Sequence, residues 1–199
     1  MLLPYTQADR TALVIVDMQN YFFRQPETRR NLATVIQNIN LASQVADQAG
    51  FPVVHVVSQF KADGSDWELK TRVSGLPELI EGTPETAILA GIRVDPHHHR
   101  VVKTRYSAFF GTGLAAWLHG ASICRVITAG AYTHYCVNAT VFDAYSHDFI
   151  PGILLDAVIS HREDESALMI ERMRRNGYHL LTTAEFVQSC SIPEAVGEK

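Results

Sequence analysis

Six short apolar runs recur along the chain: TALVIVD (11–17), FPVVHVVSQ (51–59), RVVK (100–103), CRVITAG (124–130), FIPGILLDA (149–157) and YHLLTT (178–183). They are largely apolar throughout, where a half-exposed strand would be apolar at every second position. That pattern suits strands covered on both faces, the condition of a parallel sheet. A parallel sheet in turn needs a crossover between successive strands, and helical patterns fill the gaps. Across 31–49, Leu32, Val35, Ile36, Ile39, Ala42, Val45, Ala46 and Ala49 form one stripe at spacings of three and four, with Gly50 as the stop. GTPETAIL predicts a helix with Thr83 as N-cap and Pro84 in its first turn. Residues 111–120 and 134–148 also read as helices, the second with Cys136 in its first turn. Ser160 with Glu163, and Thr182 with Glu185, have capping-box spacing.

This alternation predicts an α/β fold: a six-stranded, mostly parallel sheet in three layers, flanked by helices, as one domain over 1–199. Residues 60–82 stand out as a long irregular insertion of the kind that serves as a lid or binding loop.

Composition narrows the function. The 199 residues carry a net charge of −4 and no block of Lys and Arg, which argues against a nucleic-acid partner. No run reaches the ~20 apolar residues of a membrane span. The opening MLLPYTQADR has neither the charged start nor the apolar core of a signal peptide. Three cysteines, Cys124, Cys136 and Cys190, do not make a disulfide framework and suit a reducing cytoplasm. No GxGxxG follows the first strand, which disfavours a dinucleotide.

Ligands of open parallel sheets bind beyond the carboxyl ends of the strands. Asp17 closes the first run, Gln59 follows the second, Lys103 closes the third and Cys136 lies just past the fourth. Each has a bland reading: a turn residue, a solvated charge, an inert buried thiol. Together they permit a nucleophilic site. A helix N-terminus and a nearby lysine would lower the thiol pKa, Asp17 could take its proton, and the amides of Tyr132 and Cys136 could form an oxyanion hole. Spacing alone leaves both readings of Cys136 open. Aromatics follow each candidate: Tyr21, Phe22 and Phe23; Tyr106, Phe109 and Phe110; Tyr132 and Tyr135. They suggest a small pocket with apolar walls, with His134 and Tyr135 as further candidates. The triplet His97, His98, His99 lacks ligand spacing, since adjacent positions on an ordered element cannot all face one ion; it reads as an exposed loop. His55 reads as a core residue.

Several of these segments resemble the isochorismatase-like cysteine hydrolases. VIVDMQNYF is similar to that family's first motif, VVKTRYSAFFGTGL to its lysine motif and GAYTHYCVNATVFDAY to its cysteine motif, with LLDAVIS and LLTTAEF as later landmarks. The likeness runs from about Ala12 to Val187. It implies a Rossmann-like fold, an Asp–Lys–Cys triad at Asp17, Lys103 and Cys136, and a non-prolyl cis peptide between Ala131 and Tyr132 beside the oxyanion hole. It also implies a homodimer or larger homo-oligomer. The implied reaction is hydrolysis of a small-molecule amide, carbamoyl or ureido C–N bond through a cysteine thioester, with no metal or organic cofactor. Phe22, Phe23, Gln59, Tyr106, Tyr132 and Tyr135 would contact substrate. Two departures matter. The stretch VVSQFKADGSDW has no His after His55, unlike the metal site of nicotinamidases. The frame also resembles true isochorismatases, which generally have glycine where this chain has Cys136. The alternative expectation is therefore vinyl-ether hydrolysis of isochorismate to 2,3-dihydro-2,3-dihydroxybenzoate and pyruvate. A catalytically silent binding domain on the same fold is a third.

Overall fold

The computed structural model describes residues 10–191. Six strands form one sheet: β1 (Thr11–Val16), β2 (Val53–Ser58), β3 (His99–Lys103), β4 (Arg125–Ala131), β5 (Ile150–Ile159) and β6 (His179–Leu181). Their order is β3-β2-β1-β4-β5-β6, and every neighbouring pair is parallel. β1, β2 and β4 are buried at every residue, as the unbroken apolar runs require. The outer strand β3 alternates between covered and exposed positions.

Pleating divides each central strand between two cores. Ala12, Val14 and Val16 of β1 face one way with Val54 and Val56 of β2. They pack on α3 (Leu114–Gly120), on α4 (Asn138–Ser146) and on Met173 of α5 (Glu163–Arg175). Leu13 and Ile15 face the other way, toward Val35, Ile39, Ala42 and Ala46 of α1 (Leu32–Gln48) and Phe186 of α6 (Thr183–Ser191). The result is the expected three-layer α/β fold.

Local signals fared unevenly. Thr182 and Glu185 form a reciprocal cap: the Thr182 amide donates to Glu185 Oε2 at 2.7 Å and the Glu185 amide to Thr182 Oγ1 at 3.2 Å. Ser160 does not cap with Glu163. Its hydroxyl accepts from the Arg162 amide and pairs with His134 Nδ1, because the helix begins only at Glu163. The helix expected after Thr83 is a single 3-10 turn, Pro84–Thr86. The residues beyond it are drawn toward β1 instead: the amide of Asn20 donates to Ala87 and that of Leu89 to Met18. Segment 60–82 is not wholly irregular. It contains α2 (Leu69–Ser74), and backbone bonds between Phe60 and both Leu79 and Glu81 close its base. The start of the chain, on which the signal-peptide reading rests, lies outside the described residues. Among those described, no helix is long and apolar enough to cross a membrane.

The first three strands step outward from β1 and the fourth returns to its other side. The sheet therefore changes direction between β1 and β4, where a crevice opens at the carboxyl ends. Val16 is paired with Gly130 there. Gly130 has φ +111°, and a Cβ on it would lie 2.1 Å from the Val16 carbonyl oxygen. Both conditions demand glycine. Gly130→Ala should destabilise the fold by more than about 3 kcal/mol, because the collision is with backbone and the conformation is strained. Urea unfolding followed by circular dichroism measures this, and a loss under about 1 kcal/mol would show that the two strands can separate cheaply.

Candidate active site

Three strand ends and the turn after β4 meet at the crevice. Asp17 follows β1 with φ 53°, an uncommon value for a non-glycine residue, and is fully buried. Lys103 ends β3, two strands away from β1, so its side chain must cross the end of β2. It does so, 1% exposed, with Nζ 2.9 Å from Asp17 Oδ2 and 3.4 Å from Cys136 Sγ. Cys136 lies in a π-helical turn, Thr133–Val137, that leads directly into α4. The Val137 amide donates to the Tyr132 carbonyl, the i→i−5 bond of such a turn, a feature frequent at functional sites. The bond between Ala131 and Tyr132 is cis. Asp17, Lys103 and Cys136, 119 positions apart at the extremes, thus share one buried point; Lys103 and Cys136 line a cavity of about 540 Å³, and Asp17, fully buried, pairs with Lys103 behind that lining.

Electrostatics there differ from the sequence expectation of a lowered thiol pKa. Burial pushes the Cys136 thiol well up and the negative charge of Asp17 pushes it further; Lys103 opposes both without cancelling them. For Lys103, burial alone would lower the ammonium pKa. The charge of Asp17, together with Cys136 and the hydrogen bonds to both, outweighs it and holds Lys103 above its ordinary value. The resting charge pattern is a protonated lysine beside a neutral thiol. A buried carboxylate and ammonium are each costly, and removing one strands the other. Lys103→Ala should therefore cost about 3–5 kcal/mol of stability, read from urea unfolding; a change below about 1 kcal/mol would mean that Asp17 needs no counter-ion.

The expected contact residues are partly there. Phe22, Tyr106, Tyr132 and Tyr135 line the cavity, with the Tyr106 and Tyr135 rings stacked at 5.6 Å. Two expectations are corrected. Phe23 is 2% exposed and packs in the α1-side core against Tyr132. Gln59 is not a lining residue: its Oε1 faces Arg100 Nη2 at 3.4 Å. Successive residues at the end of a strand point oppositely, and it is Ser58 that turns inward. His134 is also withdrawn, its side chain 1% exposed and bonded to Ser160.

Tyr21, one of the expected pocket aromatics, lines the cavity. Sequence reasoning missed Gln19, Ser58 and His161, and the last two line the cavity. His161 arrives there by packing edge-on against Tyr132, with ring centroids 4.7 Å apart. Segment 60–82 supplies Phe60, Glu68, Lys70, Thr71, Glu78 and Leu79 to the wall, as a binding loop would.

Ligand-type atoms of Asp47, Asp95, His97 and His98 lie within 4.8 Å of one another at the far, amino-terminal end of the sheet. Two adjacent histidines do converge, contrary to the sequence argument, because His97 and His98 lie in a turn before β3; His99 swings away to stack on Trp117. The cationic place is already taken. The Arg93 guanidinium pairs with Asp47 at 2.5 Å and also with Asp95. An ion would have to displace it. Behind this cluster, His55 Nε2 lies 3.0 Å from His98 Nδ1. Burial, then the nearby His98 and Arg93, push the His55 pKa down to about 4, against the pull of Asp47. Between about pH 6.5 and 4 the unfolded chain binds a proton that the fold refuses. Stability should fall by about 2–3 kcal/mol as pH drops through that window, and His55→Gln should flatten the slope in urea titrations; an equal slope in both proteins would assign the loss elsewhere.

With this geometry in view, comparison with known proteins is informative. The isochorismatase domain family matches residues 11–185. A "Probable inactive nicotinamidase" of Arabidopsis thaliana is 32% identical over 146 residues, 70% of this chain and 74% of that one. An isochorismatase family protein of Desulfovibrio vulgaris superposes with a TM-score of 0.76 at 28% identity, covering 88% of this chain and 95% of that one. The N-carbamoylsarcosine amidase of Thermoplasma acidophilum superposes with a TM-score of 0.75 at 25% identity, covering 88% and 98%. The chain belongs to the isochorismatase family and is a hydrolase of that family.

Proposed function

We propose that this protein hydrolyses a small amide, carbamoyl or ureido C–N bond through a thioester on Cys136. The observation that carries the reading is that Cys136 and Lys103 line one aromatic-walled cavity in contact with each other, with Asp17 paired to Lys103. The likeness to an N-carbamoylsarcosine amidase supports the same class of bond.

The thiol is neutral at rest, so attack and deprotonation are coupled. Asp17 takes the thiol proton as sulfur bonds to the substrate carbonyl carbon. The carbonyl oxygen gains charge, held by the amides of Tyr132 and Cys136. The tetrahedral adduct collapses, the C–N bond breaks, and the proton on Asp17 passes to the leaving nitrogen. Water then attacks the thioester, giving a proton to Asp17. The C–S bond breaks, the acid departs, and that proton restores the thiol. Lys103 keeps its positive charge throughout, balancing Asp17 in its ionised form and the thiolate as it forms. Phe22, Tyr106 and Tyr135 wall the substrate, and the homo-oligomer implied by the family resemblance remains part of this reading.

Cys136→Ala should lower turnover by more than about a thousandfold while the fold survives. Ammonia release from nicotinamide, N-carbamoylsarcosine and maleamate, and pyruvate release from isochorismate, define the substrate. Intact mass spectrometry during turnover should reveal an acyl group on Cys136. Vinyl-ether hydrolysis would leave none, and full activity in Cys136→Ala would overturn the thioester.

A further inference from the structure

One buried side chain touches both partners of the ion pair and has no part in the steps above. Ser58, at the end of β2, is 7% exposed. Its Oγ lies 2.7 Å from Lys103 Nζ and 3.0 Å from Asp17 Oδ1. The direction of these bonds follows from the donors available. An ammonium can only donate, so the Ser58 oxygen accepts from Lys103. Its single O–H is then left for Asp17 Oδ1. The three N–H bonds of Lys103 go to Ser58 Oγ, to the Arg105 carbonyl at 3.1 Å and to Cys136 Sγ at 3.4 Å. Asp17 Oδ2 feels the charge of Lys103 at 2.9 Å, yet it is buried without an aligned hydrogen bond. The two oxygens of one carboxylate are therefore unequal: Oδ1 takes the Ser58 O–H, while Oδ2 faces the Lys103 ammonium.

The backbone of Ser58 is held by a clamp of its own. The Ser58 amide donates to Gln19 Oε1 at 2.8 Å, and Gln19 Nε2 donates to the Ser58 carbonyl at 3.0 Å and to the Thr86 carbonyl at 2.9 Å. Gln19 is fully buried and only two residues beyond Asp17. The loop that carries the acid thus also grips the strand end that carries the serine.

We infer that Ser58 is a positioning residue that occupies Oδ1 of Asp17 and so directs the proton of Cys136 to Oδ2. This rests on the reading of Asp17 as the base. The charged and titratable groups around Asp17 are Lys103 from β3, Cys136 from the π turn, and Tyr132 beside it. Ser58→Ala leaves Cys136 and Tyr132 in place but also takes one acceptor from Lys103, and the Gln19 clamp holds backbone atoms that Ser58→Ala retains.

The test uses iodoacetamide, a small amide-shaped alkylating agent, with the modification of Cys136 read by peptide mass spectrometry as a function of pH. In the wild type the rate should rise along an acid limb that Asp17→Asn removes. Ser58→Ala should move that limb up by about one pH unit and slow the plateau about tenfold, whereas Ser58→Thr, which keeps the hydroxyl, should restore both. Thermal melting confirms that each variant is folded. Superimposable limbs in wild type and Ser58→Ala would overturn the inference while leaving Asp17 as the base. A wild-type limb that persists in Asp17→Asn would instead refute Asp17 as the base, and the role of Ser58 would fall with it.

Discussion

At the carboxyl end of the sheet an ammonium and a carboxylate, both cut off from water, face each other at 2.9 Å. Moving each ion out of water costs several kcal/mol, and their attraction offsets this only when the geometry is good and the remaining hydrogen-bonding positions are filled. Much of the surrounding structure meets that demand. Lys103 finds three acceptors, one each from β2, the segment after β3 and the turn after β4. Asp17 finds Ser58 and its own backbone bond to Val56. Gln19 ties β2 to the loop after β1 and to the 3-10 turn before β3. The pair is thus where the outer half of the sheet, the switch point and the cavity floor are joined.

The same pair governs the thiol. A lysine next to a cysteine suggests a preformed thiolate, and the π turn leading into α4 suggests the same. Here burial and Asp17 prevail over Lys103, so the thiol keeps its proton until something draws it off. A neutral thiol is the more discriminating resting state: it is poorly reactive toward stray electrophiles and becomes nucleophilic when its proton has somewhere to go. In the proposed reaction one carboxylate serves as base, acid and base again. That requires an oxygen able to take a proton, and in the proposed reaction this is Asp17 Oδ2, the oxygen that the Ser58 hydroxyl leaves unoccupied.

A second, partly exposed charge network lies at the opposite end of the sheet, around Arg93, Asp47, Asp95 and two histidines. It joins the end of α1 to the turn before β3. The two ends of the sheet thus differ, with the candidate site at the carboxyl end and a cluster of charged and histidine side chains at the amino end.

The layered α/β architecture was legible in the sequence, because unbroken apolar runs and a stripe of period 3.6 leave few alternatives. The sequence also marked Asp17, Lys103 and Cys136 as neighbours at one rim, each adjacent to a strand end and chemically distinctive, and the fold does bring them into contact. The sequence could not decide between Ser58 and Gln59. A glutamine looks more like a ligand than a serine, but strand parity turns one inward and the other toward Arg100, and parity is set by where β2 stops. Nor could it show that Phe23 faces the core, that Ser160 serves His134, or that two of three consecutive histidines meet on Asp47. Those outcomes depend on the direction of a single residue within a turn, where no periodicity exists to be read. The thiol's proton was likewise beyond the sequence. Its retention depends on the balance between burial and two opposite charges a few ångströms away, and only the assembled strands fix those distances.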